Sequence, residues 1–374
     1  MPLIEPRMQT PTMSAPRMRD ELRALTPYGS GRPADAALPR HRLSSNESPF
    51  APSPAVLEAA QRAMRESHRY PALVGEPLIE RLAVRHGRPG AEIAVASGSV
   101  ALIEQLVRAY AGPGDEVLMP WRSYEAYPLV IAGAGAREVA APLARDQRID
   151  VDALLERLTP RTRVLLLCNP NNPTGEALGA AALDRLLARL PPSVLVVLDE
   201  AYREFVTDAD VPDGAERYRE QPNVAVLRTF SKAYSLAGLR VGYCLAPAAL
   251  IDGLRRVAPP FPVSAPALAA ACAALAEPER LAERMAVLLR ERERLRKGLA
   301  ELGLPSGHPQ ANFVWLPLGA AAVDCAASLL AAGIGVRCFA GEGVRITVGD
   351  ADDTRAVLEA AAAWHTQCEE RGTK

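Results

Sequence analysis

Lysine is almost missing from this chain. Of 43 basic residues only Lys232, Lys297 and Lys374 are lysines, and arginine fills every other basic position. A GC-rich coding sequence produces such a bias, so the bias carries no chemistry, but it makes a surviving lysine informative. Long apolar runs are missing too. "VLLLC" and "VLVVL" are far too short to cross a bilayer, and the first residues lack the apolar core of a signal peptide. The six cysteines form no C-x-x-C pair and mostly sit in apolar surroundings, as buried reduced thiols do. The five histidines lack metal-ligand spacing, which argues against a zinc site. A net charge of -1 leaves no broad basic field for nucleic acid. Together these absences predict a cytoplasmic protein with no metal, no nucleic-acid partner and no membrane span.

What is present is an alternation of strands and helices. At 374 residues the chain suits a large domain with a smaller companion. Residues 1–45, rich in Pro, Met and Arg, read as an extended arm whose start codon could be a later methionine. Ser53 is a plausible N-cap with Pro54 at the first helical position, and "SVALIEQLVRAY" is a helix with Leu102, Leu106 and Ala109 on one face. "EIAVASGS", "DEVLMP", "RVLLLCNP", "SVLVVLDE" and "NVAVLRTF" read as strands. Continuous apolar runs separated by helices indicate a parallel sheet buried on both faces. Prolines in "APPFPVSAPA" mark a joint, so residues 46–258 form the large domain and 259–374 the small α+β domain, joined by part of the arm. The charges of "EPERLAERMAVLLRERERLRKGLAELG" read as the solvated face of a long helix.

The chemically suggestive residues gather at strand ends, where open α/β sheets hold ligands. "ASGSVAL" stops a strand at a glycine turn and opens a helix at Ser99, whose free amides can hold phosphate or merely be capped. "CNPNNPTG" is a rigid polar loop in which Asn172 offers a fixed amide. In "VVLDEAYREF", Asp199 ends a buried strand; it either pairs with an arginine or faces a cationic ligand. In "TFSKAYSLAGLR", Lys232 follows another apolar strand, where an amine that sheds its proton can act as a nucleophile and an arginine cannot. A phosphate cradle, an amide, a buried carboxylate and a lysine together suit pyridoxal 5'-phosphate, whose aldehyde takes the lysine as a Schiff base while its ring nitrogen takes the aspartate.

The motifs "SSNESPF", "RYP", "SGSVALI", "CNPNNPTG", "VVLDEAY", "TFSKAYSLAGLRVGY", "QANFVWLPLG" and "GVRITVG" appear in one order. In this the chain resembles the fold-type I pyridoxal-phosphate aminotransferases, within them the histidinol-phosphate aminotransferase subfamily, over roughly residues 20–365. The resemblance implies an α/β fold: a large domain with a mostly parallel seven-stranded sheet between helices, plus a smaller α+β C-terminal domain. It implies that Lys232 holds the internal aldimine and shuttles a proton, that Asp199 pairs with the ring nitrogen, and that Asn172 and Tyr202 bond the ring hydroxyl. Tyr124 would stack on the ring. Gly98, Ser99, Val100, Ser231 and Arg240 would hold the phosphate, Tyr70 would reach the neighbouring subunit's phosphate in an obligate homodimer, and Arg345 would clamp the substrate's acidic group. Asn46 and Tyr28 would shape the side-chain pocket.

Val100-Ala101 stand where many histidinol-phosphate enzymes have Asp-Glu, and Ser235 where relatives usually have Gly or Ala. "GSVAL", "WRSYEAYPL" and "ANFVWLPLG" look closer to actinobacterial aromatic (phenylalanine) aminotransferases. The expected activity is therefore amino transfer from an aromatic amino acid to 2-oxoglutarate. Histidinol phosphate is the alternative donor, and a threonine-phosphate decarboxylase-like reaction is a further alternative with the same cofactor. A regulator carrying an aminotransferase-like domain is disfavoured, because the stretch before the motifs is too short and proline-rich for a DNA-binding module.

Overall fold

The runs of apolar residues become two sheets. The computed structural model describes residues 17–23, 25–27, 29, 38–304 and 306–370. Its strands are β1 (His41–Leu43), β2 (Ile93–Ala96), β3 (Glu116–Trp121), β4 (Arg137–Pro142), β5 (Thr162–Cys168), β6 (Leu195–Asp199), β7 (Val224–Thr229), β8 (Gly242–Leu245), β9 (Phe313–Leu316), β10 (Ile334–Phe339) and β11 (Gly343–Thr347). The seven-stranded sheet has the order β2-β8-β7-β6-β5-β3-β4. Neighbours from β7 to β4 are parallel, and β8 runs antiparallel to both β7 and β2. The α/β architecture expected from the sequence is therefore present. Every residue of β6 and β7 is buried, as a sheet covered on both faces requires.

The smaller sheet has the order β1-β10-β11-β9. Its outer strand, β1, comes from the end of the N-terminal arm and pairs in parallel with β10, His41 opposite Ile334. Farther up the arm, the Arg19 guanidinium donates to Gly133 O at 2.9 Å.

Local signals set the helices. Ser53 Oγ accepts from Val56 N at 3.2 Å, with Pro54 in the first turn of helix Pro54–Met64. Helix Ser99–Tyr110 buries Leu102, Ile103, Leu106 and Val107, while Ala109, expected on that face, is only half-buried in the last turn. Helix Ala265–Leu275, just past the proline joint, packs on helices Pro54–Met64 and Glu76–His86.

Helix Pro278–Glu301 departs from expectation at one residue. Its buried stripe is Met285, Leu288, Arg292, Leu295 and Leu299, at spacings of three and four residues. Arg292 thus lies in the core, not on a solvated face. Its guanidinium donates to Phe205 O at 2.7 Å, Ala311 O at 3.2 Å and Thr207 Oγ1 at 2.9 Å. Burial pushes its pKa down to about 10, which leaves it charged at neutral pH. A buried arginine survives because carbonyls without other partners receive its protons.

Candidate active site

Turns at the ends of β2, β3, β5, β6 and β7 meet over the carboxyl edge of the large sheet, and β11 closes the far side. Between them is a cavity of about 290 Å³. Ser99, Val100, Tyr124, Asn172, Asp199 and Tyr202 line it. So do Ser231, Lys232, Arg240, Arg345 and Asn46. Gly98 lies at its edge, immediately before Ser99.

At the end of β2 the chain turns through Gly98, whose φ of 89° favours glycine. A Cβ there would stand 2.6 Å from Arg240 Nη2, and a Cβ on Gly242 would stand 2.4 Å from Ser99 N. Both glycines are needed for β8 and Arg240 to approach the start of helix Ser99–Tyr110. Arg240 Nη1 in turn donates to Ser231 Oγ at 3.4 Å and to Ala237 O at 3.0 Å. Free helix amides, a hydroxyl and a guanidinium at one corner form a cradle for a phosphate-sized anion.

Asp199, only 3% exposed, ends β6. Tyr127 Oη donates to its Oδ2 at 3.2 Å, and Ala201 N to its Oδ1 at 3.2 Å. Burial nevertheless pushes its pKa up to about 6. The arginine partner that a buried carboxylate could have taken goes instead to its neighbour: Glu200 accepts from Arg228 Nη2 at 2.6 Å and Nε at 3.1 Å. Alternation along the chain sends Asp199 into the cavity and Glu200 away from it. Of the two readings of Asp199, the cation-facing carboxylate fits.

Lys232 Nζ donates to Ser45 O at 3.0 Å. Burial, with the cations of Arg345 and Arg240 adding to it, pushes its pKa down to about 7. An amine in that state is substantially neutral near pH 7 and nucleophilic. Arg345, 6% exposed, donates from Nη1 to Asn172 Oδ1 at 2.5 Å and from Nη2 to Ser44 O at 2.6 Å. With its Oδ1 so occupied, Asn172 has its NH2 group to offer a ligand oxygen. Tyr202 Oη accepts from Asn46 Nδ2 at 3.0 Å, and Thr347 Oγ1 donates to Asn46 Oδ1 at 3.2 Å. Asn46 is held in the left-handed region at φ 55°. The Tyr124 ring meets Tyr127 edge-on with centroids 5.6 Å apart.

One expected residue is elsewhere. Tyr70 does not line the cavity; it is 82% exposed and stacks on Phe261 with ring centroids 4.5 Å apart. Tyr28 lies outside the described residues. Other residues went unnoticed in the sequence. Tyr127, one helical turn past Tyr124, supports Asp199. Arg337 lines the cavity and is the Cα partner of Arg345 in the β10–β11 hairpin. That pairing was readable: the turn in "CFAGEGV" centres on Gly341, which sets 337 opposite 345.

The donor set fits pyridoxal 5'-phosphate on the structure's own terms. The cradle kept open at Gly98 suits its phosphate, the buried Asp199 its cationic ring nitrogen, the Asn172 NH2 its ring oxygen, and the weakly basic Lys232 its aldehyde.

Comparison with known proteins points the same way. The chain is 48% identical over 338 residues to a Streptomyces avermitilis protein named aromatic amino acid aminotransferase, covering 90% of this chain and 94% of that one. A Streptomyces coelicolor protein of the same name is 48% identical over 355 residues, covering 95% and 99%. Among solved structures, histidinol-phosphate aminotransferase from Sinorhizobium meliloti in complex with pyridoxal-5'-phosphate superposes with a TM-score of 0.84 at 29% identity, covering 95% of this chain and 99% of that one. The profile described as "Aminotransferase class I and II" matches residues 41–362, and the chain belongs to that family.

Proposed function

We propose that this chain is a pyridoxal-phosphate-dependent aminotransferase that moves an amino group from an aromatic amino acid to 2-oxoglutarate, working as a cytoplasmic homodimer. One observation carries the reading: Lys232, with its pKa at about 7, shares a cavity with the buried Asp199 and the Gly98–Arg240 anion cradle. Identity of 48% to proteins named for aromatic amino acids favours that donor class. No helix among the described residues is long and apolar enough to cross a membrane.

When bound, the cofactor supplies an aldehyde carbon and a ring that withdraws electrons from the substrate's Cα. The chain's residues do the rest. Lys232 presents a neutral Nζ at physiological pH, able to attack a carbonyl carbon and then to carry a proton to or from Cα. Asp199 keeps a proton on the ring nitrogen by pairing with it, and that pairing offsets the cost of burying its charge. Asn172 and Tyr202 would hold the ring oxygen, and Tyr124 would cover a ring face. Ser99 and Val100 amides, Ser231 and Arg240 hold the phosphate beside Gly98. Arg345 takes the substrate carboxylate in a planar two-point grip. Asn46 orients Tyr202 and shapes the pocket for the donor side chain.

Tyr70 would serve the second subunit. Its exposed ring is braced against Phe261, which fits a side chain that reaches into a partner's site. We assign residues 1–45 to the arm, 46–258 to the large domain and 259–374 to the small domain. Helix Ala265–Leu275 is the seam, since it packs back on the helices of the large sheet.

The test is the visible spectrum of the purified holoenzyme, titrated with L-phenylalanine and L-histidinol phosphate in separate cuvettes. A cofactor band that collapses at far lower phenylalanine concentration supports the aromatic reading. The opposite order assigns the chain to histidinol phosphate, the activity of the Sinorhizobium meliloti neighbour. Return of the band on adding 2-oxoglutarate distinguishes amino transfer from decarboxylation.

A further inference from the structure

The cavity contains a third arginine, beside Arg240 and Arg345, that the reaction as described leaves unused. Arg337 on β10 and Arg345 on β11 are Cα partners in antiparallel register, so both side chains leave the sheet on one face, and both line the cavity. Arg345 donates to neutral oxygens of Asn172 and Ser44. Arg337 meets a carboxylate. Its Nε donates to Glu125 Oε2 at 3.1 Å, its Nη2 to Glu125 Oε1 at 3.0 Å, and its Nη1 to Gly29 O at 2.7 Å. This is the two-point geometry of a strong arginine–carboxylate pair, with the side chains only 16% and 26% exposed.

A second pair of opposite polarity locks the first in place. Arg122, three residues before Glu125, pairs with Glu342 in the β10–β11 turn and lies over the Trp121 and Phe339 rings. The loop that carries Tyr124 and the hairpin that carries Arg337 and Arg345 are therefore joined twice. Glu125 cannot drift from Arg337 without breaking the outer pair or turning its own side chain outward.

We propose that Glu125 is a specificity-determining residue of this site: it neutralises Arg337 and so biases the enzyme toward donors with a single anionic group and an uncharged side chain. The inference rests on the aminotransferase reading, with Arg345 taking the substrate's α-carboxylate. A substrate with one carboxylate needs one arginine. A substrate with a second anionic group calls on Arg337 as well, and there it competes with a carboxylate already in position. An aromatic ring meets no such competitor, and the neutralised Arg337–Glu125 pair adds no net charge that would disfavour it. For the keto acid, the distal carboxylate of 2-oxoglutarate exchanges with Glu125, one carboxylate for another. For a phosphorylated donor, a charge near -2 must either displace Glu125 or stand beside it.

The experiment compares wild type, Glu125→Gln, Arg337→Leu and the double variant, each as holoenzyme. Binding of glutarate and of 3-phenylpropanoate, neither of which reacts, is measured by calorimetry. Turnover of phenylalanine and of histidinol phosphate is measured beside it. Glu125→Gln is expected to tighten glutarate about tenfold and to move the kcat/KM ratio about tenfold toward histidinol phosphate, with a smaller change for 3-phenylpropanoate. Arg337→Leu is expected to weaken glutarate by about as much, and the double variant to lose the gain. A merely structural Glu125 would weaken both ligands on substitution and tighten neither. Unchanged or weaker glutarate binding in Glu125→Gln overturns the inference, as does a gain that persists without Arg337. A wild type that ignores phenylalanine fails the functional reading and the donor claim with it. A wild type that accepts phenylalanine while Glu125→Gln shows no gain fails this inference alone.

Discussion

Tyr127 Oη donates a hydrogen bond to Asp199 Oδ2 across 3.2 Å at the floor of the cavity. That bond favours the carboxylate, as does the one from Ala201 N, yet burial outweighs both and lifts Asp199 from its ordinary 3.8 to about 6. The charge of Asp199 is therefore a cost in the protein without cofactor. The sign follows from linkage. A carboxyl group whose folded pKa is raised binds more protons in the folded state between the two pKa values, so its contribution to stability falls as pH rises from about 4 to about 6 and is flat above. A shift of that size corresponds to about 3 kcal/mol. We predict that the stability of cofactor-free Asp199→Asn, relative to wild type, rises by an amount of this order between pH 4 and 6.5 in urea unfolding. The same variant loses most of its turnover as holoenzyme. A stability difference that does not vary with pH would contradict the assignment.

The Gly98–Arg240 corner makes a second prediction. Alanine at 98 meets two obstacles: a φ of 89° that L-residues rarely adopt and an Nη2 atom 2.6 Å from the new Cβ. Arg240 can swing away, but then it leaves Ser231 and the helix start. Gly98→Ala should raise the Kd for pyridoxal phosphate roughly tenfold to a hundredfold, read by absorbance titration of the apoprotein. Unaltered affinity would show that the cradle is not the phosphate site.

Lys232 carries the third. Lys232→Ala should leave the fold intact, judged by circular dichroism, and reduce transamination by roughly three orders of magnitude or more. Wild-type turnover in the variant would remove the mechanism. Its lowered pKa can be read separately in the apoprotein. An amine neutral above about 7 should be acylated with a rate that rises through that pH.

The sequence revealed much of this because the site is built from strand ends, and buried parallel strands announce themselves as apolar runs. Asp199 was legible as a charged residue directly after such a run, and Lys232 as a rare lysine in the turn that follows another. Gly98 was legible as a turn before a helix. Glu125 was not, because a charged residue on a loop looks like an ordinary surface residue until pairing brings it against Arg337, whose own place opposite Arg345 the hairpin turn did give away. The choice between Asp199 and Glu200 as Arg228's partner likewise depended on which face of the chain met the arginine, a fact of tertiary packing. Tyr70 was legible only as part of the "RYP" motif; the structure places it exposed against Phe261, away from the cavity.

Arg292 shows how the same limit hid a structural arginine, and it carries the last prediction. In a helix crowded with Arg and Glu it looked like one more solvated charge, but it falls on the stripe of Met285, Leu288, Leu295 and Leu299. Its guanidinium gathers Phe205 O, just beyond the Tyr202 turn, and Ala311 O, just before Asn312, which itself donates to Asn46 O at 3.1 Å. It thus ties the turn after β6 to the approach to β9, and so ties the large sheet to the small one. Methionine fills similar volume without the donors and strands two buried carbonyls. Arg292→Met should cost about 2–4 kcal/mol in urea unfolding, while Arg292→Lys, which keeps a charge and a donor, should recover part of the loss. Because Arg292 does not line the cavity, the KM for phenylalanine should change far less than the unfolding midpoint. Equal stability in Arg292→Met would mean that water or neighbouring donors replace the guanidinium without cost, and that other contacts hold the two sheets together.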